Sequence, residues 1–209
     1  MNSKDTNLQC CVTQCERPLD QKYWNAQWES NRTGWDIGHA APAITNYMEQ
    51  YPDKNAAVLI PGCGNAHEAD YLLQHGFTNI TLLDIAPKAV ELLAEKYIAT
   101  PGIRVVCEDF FEHRGTYDLV IEQTFFCAIP PSWRNKYAKK MAALLRENGK
   151  LIGVLFDRTF EQDGPPFGGC TCEYKPVFDP YFEIKTMDPC YNSIPGRTDS
   201  EVFINLIKK

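Results

Sequence analysis

Two short apolar runs, residues 56–60 and 79–83, end abruptly at Pro61-Gly62-Cys63-Gly64 and at Asp84, with the helical pattern of residues 68–74 and the stop signal Gly76 between them. Apolar runs bounded by turn residues predict strands, and the whole reads as strand, turn, helix, strand. Such a unit commits the chain to an α/β fold in which ligands collect at the carboxyl ends of parallel strands. The glycines let backbone approach a ligand closely, and an acid about 20 residues further on suits the hydroxyls of a ribose.

The pattern then repeats. Pro87 opens a helix carrying Val90, Leu92, Leu93 and Tyr97; residues 103–107 form a third strand ending at Glu108-Asp109-Phe110; residues 117–122 form a fourth. An aromatic loop and a helix over about residues 132–146 lead to a fifth strand at 150–156. Runs 181–187 and 201–207 predict a terminal hairpin, and the Gly/Pro-rich segment within 159–172 predicts a lid or pocket loop. The expected fold is a Rossmann-like, doubly wound, seven-stranded α/β sheet, mostly parallel, with a C-terminal antiparallel hairpin. Ahead of it, residues 20–52 predict a helical cap. Asp20 caps a helix to about Ser30 on which Trp24 and Trp28 share a face, Trp35 follows in a loop, and Pro42 opens a second helix. Residues 1–19 lack periodicity and predict a mobile arm, leaving 20–209 as a single domain.

At 209 residues with 44% hydrophobic and 23% charged, the chain is long enough for one well-buried core, and its net charge of -6 argues against nucleic acid as a partner. No run approaches the ~20 apolar residues of a membrane span, and the opening residues lack the apolar core of a signal peptide. A soluble, cytoplasmic, monomeric protein without membrane contact is the expectation. Nine cysteines, an odd number, read as reduced thiols. Neither Cys10, Cys11 and Cys15 nor Cys170 and Cys172 has zinc-site spacing, so no metal is expected. Cys107 and Cys127 lie in apolar runs and suit core or pocket positions.

Indole faces attract cations. Trp24, Trp28 and Trp35 ahead of a ribose-binding pattern therefore point to a positively charged nucleoside, S-adenosylmethionine. The segments Trp24-x-x-x-Trp28, Gly34-Trp35-Asp36-x-Gly38, Pro42 and Leu59-Ile60-Pro61-Gly62-Cys63-Gly64 resemble the thiol and halide methyltransferases related to thiopurine S-methyltransferase. Phe125-Phe126-Cys127-Ala128-Ile129 is similar to the plant halide/thiol branch, and Gly164-Pro165-Pro166-Phe167 to a loop of both branches. The resemblance runs from about Tyr23 to the C-terminus. It implies a class I S-adenosylmethionine-dependent methyltransferase, with Trp24, Trp28 and Trp35 covering the cofactor and Gly62 and Gly64 beneath its methionine part. It further implies Asp84 at the ribose, Asp109 and Phe110 at the adenine, and Arg134 approaching the acceptor. Gln123 stands where the plant branch has tyrosine and the thiopurine branch arginine.

Methyl transfer from a sulfonium needs alignment and a dry pocket more than covalent help from the protein. Trp35, Phe125, Phe126 and Phe167 are the candidates for excluding water. Arg134 either holds an anionic acceptor or is a surface arginine on its helix. His39 is a candidate proton relay or a solvated loop histidine, Glu122 a base or a partner for the cofactor's ammonium group, and Tyr137 a packing or substrate residue. The expected reaction is methylation of a small thiol, bisulfide or thiopurine-like thiol, with halide open to the same displacement. Alternatives are an O- or N-methyltransferase, a non-catalytic S-adenosylmethionine-binding module and, from the glycine turn alone, an NAD-dependent oxidoreductase. Calorimetric titration separates the last of these: S-adenosylhomocysteine is expected to bind and NAD is not, and the reverse would reject the cofactor assignment.

Overall fold

The structure, a computed structural model, describes residues 18–209. Among these, seven strands form one sheet in the order β3-β2-β1-β4-β5-β7-β6. They are β1 (Val58–Pro61), β2 (Ile80–Asp84), β3 (Ile103–Cys107), β4 (Tyr117–Gln123), β5 (Leu145–Phe156), β6 (Phe182–Pro189) and β7 (Glu201–Lys208). β1 lies parallel between β2 and β4, β3 and β5 extend the parallel part, and β7 runs antiparallel between β5 and β6. The expected mostly parallel sheet with a terminal hairpin is what the chain forms.

Alternation along the strands divides the core between the two faces. Leu59 of β1 and Val120 of β4 pack with Tyr137 and Met141 of helix α5 (Arg134–Leu144) and Phe178 of helix α6 (Thr171–Phe178). Val58, Ile60, Leu119 and Ile121 point the other way, toward Ile44 and Met48 of α2 (Pro42–Glu49) and Leu72 of α3 (His67–Gln74). The N-terminal helix α1 (Gln21–Glu29) begins as its sequence requires, with Asp20 accepting from the Tyr23 amide at 2.9 Å. It docks on α4 (Pro87–Lys96) by seating Trp28 against Ala86 and Ala89, while Asn25 accepts from the Lys88 amide at 2.7 Å.

Four sequence expectations need correction. α5 stops at Leu144 and β5 begins at Leu145, because Leu145 pairs with Tyr117 across a register irregularity and buries its side chain. Helix α6 has no counterpart in the sequence reading. Pro176 inside it argues against a helix, but Tyr174 and Phe178, one turn apart, are both buried, so packing outweighs propensity. Cys170 and Cys172 are joined as a disulfide, their Cα atoms 5.3 Å apart at the start of α6, rather than reduced; Cys63, Cys107, Cys127 and Cys190 are free thiols. Cys107 is exposed on edge strand β3 rather than in the core. Cys10, Cys11, Cys15 and most of the predicted arm lie outside the described residues. Among the described residues no helix is long and apolar enough to cross a membrane, and no three possible metal ligands cluster.

Leu119, 0% exposed at the middle of β4, sets a test of this core. Leu119→Ala is expected to lower unfolding free energy by about 2–5 kcal/mol in urea titration, whereas Ile98→Ala should stay within about 0.5 kcal/mol. Ile98 is 87% exposed, so equal effects of the two would contradict the packing described.

Candidate active site

The carboxyl ends of β1 to β4 open into a cavity of about 900 Å³, near the top of the range for small-molecule sites. After β1 the backbone turns through Gly62 and Gly64, with φ of +57° and +53°, the left-handed region that glycine enters freely. A side chain at Gly62 would also run into the Phe125 ring, with its first carbon 2.9 Å from Cγ. The Gly64 turn is held from β2. Asp84 accepts from the Gly64 amide at 3.1 Å through one oxygen and from the Ala86 amide at 2.9 Å through the other.

Asp84 is 8% exposed, and burial pushes its carboxyl pKa upward against the lowering effect of these amides. A carboxylate has about four acceptor sites. Its desolvation is therefore incompletely offset, and donors such as ribose hydroxyls arriving from the cavity would complete its shell. The residues present fit S-adenosylmethionine on this ground.

A tryptophan wall faces the glycine turn. Trp24 and Trp35 meet edge to face with centroids 5.7 Å apart, Trp28 and Trp35 at 6.3 Å, and all three line the cavity. Trp35 is fixed by its loop: Asp36 accepts from the Gly38 amide at 2.7 Å, binds the Asn65 side chain and lies 2.8 Å from His67 Nε2. Arg197 donates to the Trp35 carbonyl at 3.1 Å.

The cavity's charge is one-sided. Asp20, Asp84, Glu108 and Asp109 line it, and no lysine, arginine or histidine of the described residues does. An acidic, indole-faced site suits a cationic nucleoside and opposes a pyrophosphate, the group a dinucleotide would bring. The NAD reading is disfavoured on this ground. Each carboxylate is engaged already: Asp20 and Asp84 as above, Asp109 by the Phe111 amide at 2.8 Å, and Glu108 by His113 Nδ1 at 2.8 Å.

Of the sequence candidates, Trp24, Trp28, Trp35, Gly62, Gly64, Asp84, Asp109, Phe110 and Phe125 line this space. The others do not. His39 is exposed outside it, its Nδ1 2.8 Å from the Ala40 carbonyl. Arg134, 4% exposed, donates to the Gly168 carbonyl at 2.7 Å, lies 3.6 Å from Glu173 and stacks over Phe126 and Tyr174. It braces the lid loop against α6 instead of facing an acceptor, and it is no surface residue either. Phe126, Tyr137 and Phe167 are buried behind the wall. Glu122 is enclosed among backbone amides and Tyr137 and is not part of the cavity lining. Gln123 faces a separate crevice beside Arg197.

Several lining residues escaped the sequence reading. Pro18 and Leu19 belong to the stretch expected to be loose. Glu108 reaches the wall because His113, buried and 2.8 Å from the Tyr117 hydroxyl, holds it from behind. Thr124, Ile129 and Trp133 come from the segment after β4, whereas Pro165-Pro166 belong to the stretch the sequence marked as a lid or pocket loop. The one local signal was the position of Thr124 directly after a strand.

The seven-stranded fold is that of S-adenosylmethionine-dependent methyltransferases. A magnesium protoporphyrin IX methyltransferase from Synechocystis PCC 6803 with bound S-adenosylhomocysteine superposes with TM-score 0.70 at 16% identity, over 90% of this chain and 98% of that one. A 1,6-didemethyltoxoflavin-N1-methyltransferase from Burkholderia thailandensis gives 0.71 at 16% identity, over 90% and 87%. In sequence, the profile of the thiopurine S-methyltransferase family matches residues 19–194. Thiocyanate methyltransferase 1 of Brassica oleracea is 33% identical over 88% of this chain and 83% of its own length. A probable thiol methyltransferase 2 of Arabidopsis thaliana is 33% identical over 75% and 71%, and a thiopurine S-methyltransferase of Photobacterium profundum 27% over 77% and 83%. The chain belongs to the thiopurine S-methyltransferase family and is an S-adenosylmethionine-dependent methyltransferase.

Asp84→Ala is expected to weaken S-adenosylhomocysteine binding by roughly 1.5–3 kcal/mol, the scale of hydrogen bonds to a charged group, measured by calorimetry on a folded sample. Unchanged affinity would remove Asp84 from the cofactor site.

Proposed function

We propose that this protein methylates the sulfur of a small thiol, bisulfide or thiopurine-like thiol, with halide open to the same in-line displacement. When bound, S-adenosylmethionine supplies an electrophilic methyl carbon on a sulfonium. The protein's own contribution is placement. Asp84 would accept from the ribose hydroxyls, Asp109 and Phe110 would border the adenine, and the Gly62–Gly64 turn would let the methionine part lie against backbone. Trp24, Trp28 and Trp35 line the space a cation would occupy, where an indole face attracts positive charge, and Phe125 and Trp35 keep water from the reacting atoms.

The observation that carries the choice of acceptor is that no histidine or lysine of the described residues stands in the cavity wall to take a proton. The lining carboxylates are given to backbone amides, His113 or the nucleoside, and the Cys127 thiol is pushed up to about 12 by burial, with nearby Glu122 adding to the rise. An alcohol or amine acceptor would need help losing its proton. A thiol of pKa ~8.5 is a few per cent thiolate at neutral pH and needs none. Opposite charges then cancel as the new bond forms, which a dry site favours over hydrated ions.

Incubation with labelled S-adenosylmethionine and a panel of thiols, bisulfide and halides tests the reading. Methyl transfer to at least one sulfur acceptor is expected, with kcat/KM for a thiol rising as pH approaches the acceptor's own pKa and that for a halide flat over the same range. A sample that binds S-adenosylhomocysteine yet methylates none of these would overturn it.

A further inference from the structure

The turn after β4 is an unusual piece of backbone. Thr124 sits at φ +56°, a left-handed conformation that is strained for a β-branched residue, and it lines the cavity. Something must hold it there. The Glu122 side chain, 0% exposed, folds forward so that Oε1 accepts from the Phe125 and Phe126 amides, each at 2.8 Å. These amides begin the short 3-10 helix Phe126–Ala128, which has no other side-chain cap. On the far side, Oε2 accepts from the Tyr137 hydroxyl of α5.

The turn thus fastened carries the acceptor side of the pocket. The Phe125 ring occupies the space a side chain at Gly62 would need, so it lies directly against the cofactor turn. It is wedged from behind by Phe110 at 5.1 Å and Tyr137 at 6.0 Å. Cys127, bonded through its Sγ to the Thr124 carbonyl at 3.2 Å, continues the wall, and its own carbonyl accepts from the Phe167 amide of the lid at 2.7 Å. One buried carboxyl therefore joins the cofactor turn, the acceptor wall and the lid.

We infer that Glu122 and Tyr137 act as a positioning pair: without touching either substrate, they lock the Thr124–Cys127 turn so that Phe125 fixes the acceptor relative to the methyl donor. The inference rests on the methyl-transfer reading. Burial pushes the Glu122 carboxyl up to about 7, against the effect of Tyr137 and the two amides. Its Oε1 can accept both amides whether the group is charged or neutral, so a glutamine amide oxygen can do the same. Misplacing reacting atoms by about 1 Å costs on the order of 100-fold in rate.

The test compares Glu122→Leu, Glu122→Gln and Tyr137→Phe, with rates expressed per S-adenosylhomocysteine-binding site so that loss of folded protein drops out. Glu122→Leu is expected to lower kcat by about 10–100-fold and to raise acceptor KM, with S-adenosylhomocysteine affinity changed less than about threefold. Glu122→Gln should restore most of the activity, and Tyr137→Phe should fall between. Wild-type kcat and acceptor KM in Glu122→Leu and Tyr137→Phe, whatever happens to thermal stability, would overturn the inference, as would equal loss in the Gln and Leu variants. Should Glu122→Leu not fold, Tyr137→Phe decides. No turnover in the unaltered protein would instead sink the functional reading, and this inference with it.

Discussion

A carboxylate taken out of water at the end of β2 organises everything around it. Removing such a group from solvent costs several kcal/mol, and Asp84 recovers part of that from the Gly64 and Ala86 amides. Those two bonds fasten the turn after β1 to the turn after β2. The first turn gives a ligand access to backbone. The second places Ala86 and Ala89 where Trp28 can seat, which brings the cap helix over the cavity. Pocket floor and pocket roof are thus registered to one side chain whose remaining acceptor capacity faces the ligand.

Charge then decides what that ligand is. Four carboxylates with no opposing cation in the described wall create a field that a phosphate would avoid and a sulfonium would seek. The same field is unfavourable to an anionic acceptor entering alone. Under the proposed reaction, donor before acceptor is the order this field would favour, since the positive charge on the first makes room for the negative charge on the second. Phe125 and Ile129 would lower the hydration of that pair, the condition under which charge cancellation speeds reaction.

The parts legible in the sequence are those fixed by local rules. A strand must end where Pro61-Gly62 follows, an acid at Asp84 must terminate the next strand, and Trp24 and Trp28 must share a face if residues 21–29 are helical. Long-range packing wrote the rest. Helix α6 exists because Tyr174 and Phe178 are buried against the sheet, which no propensity announces. Arg134 is spent on Gly168 and Glu173, elements remote in sequence, and so it does not face the acceptor. Glu122 turned out to serve its own backbone, a role readable only once Thr124 is known to sit in the left-handed region.

A crystal structure with S-adenosylhomocysteine bound tests the central claim most directly. The account predicts both ribose hydroxyls within hydrogen-bond reach of the Asp84 carboxylate, the adenine beside Asp109 and Phe110, and the sulfur turned toward the space between Trp35 and Phe125. A nucleoside found with its ribose away from Asp84, or seated in the separate groove lined by Tyr47 and Tyr51, would contradict it.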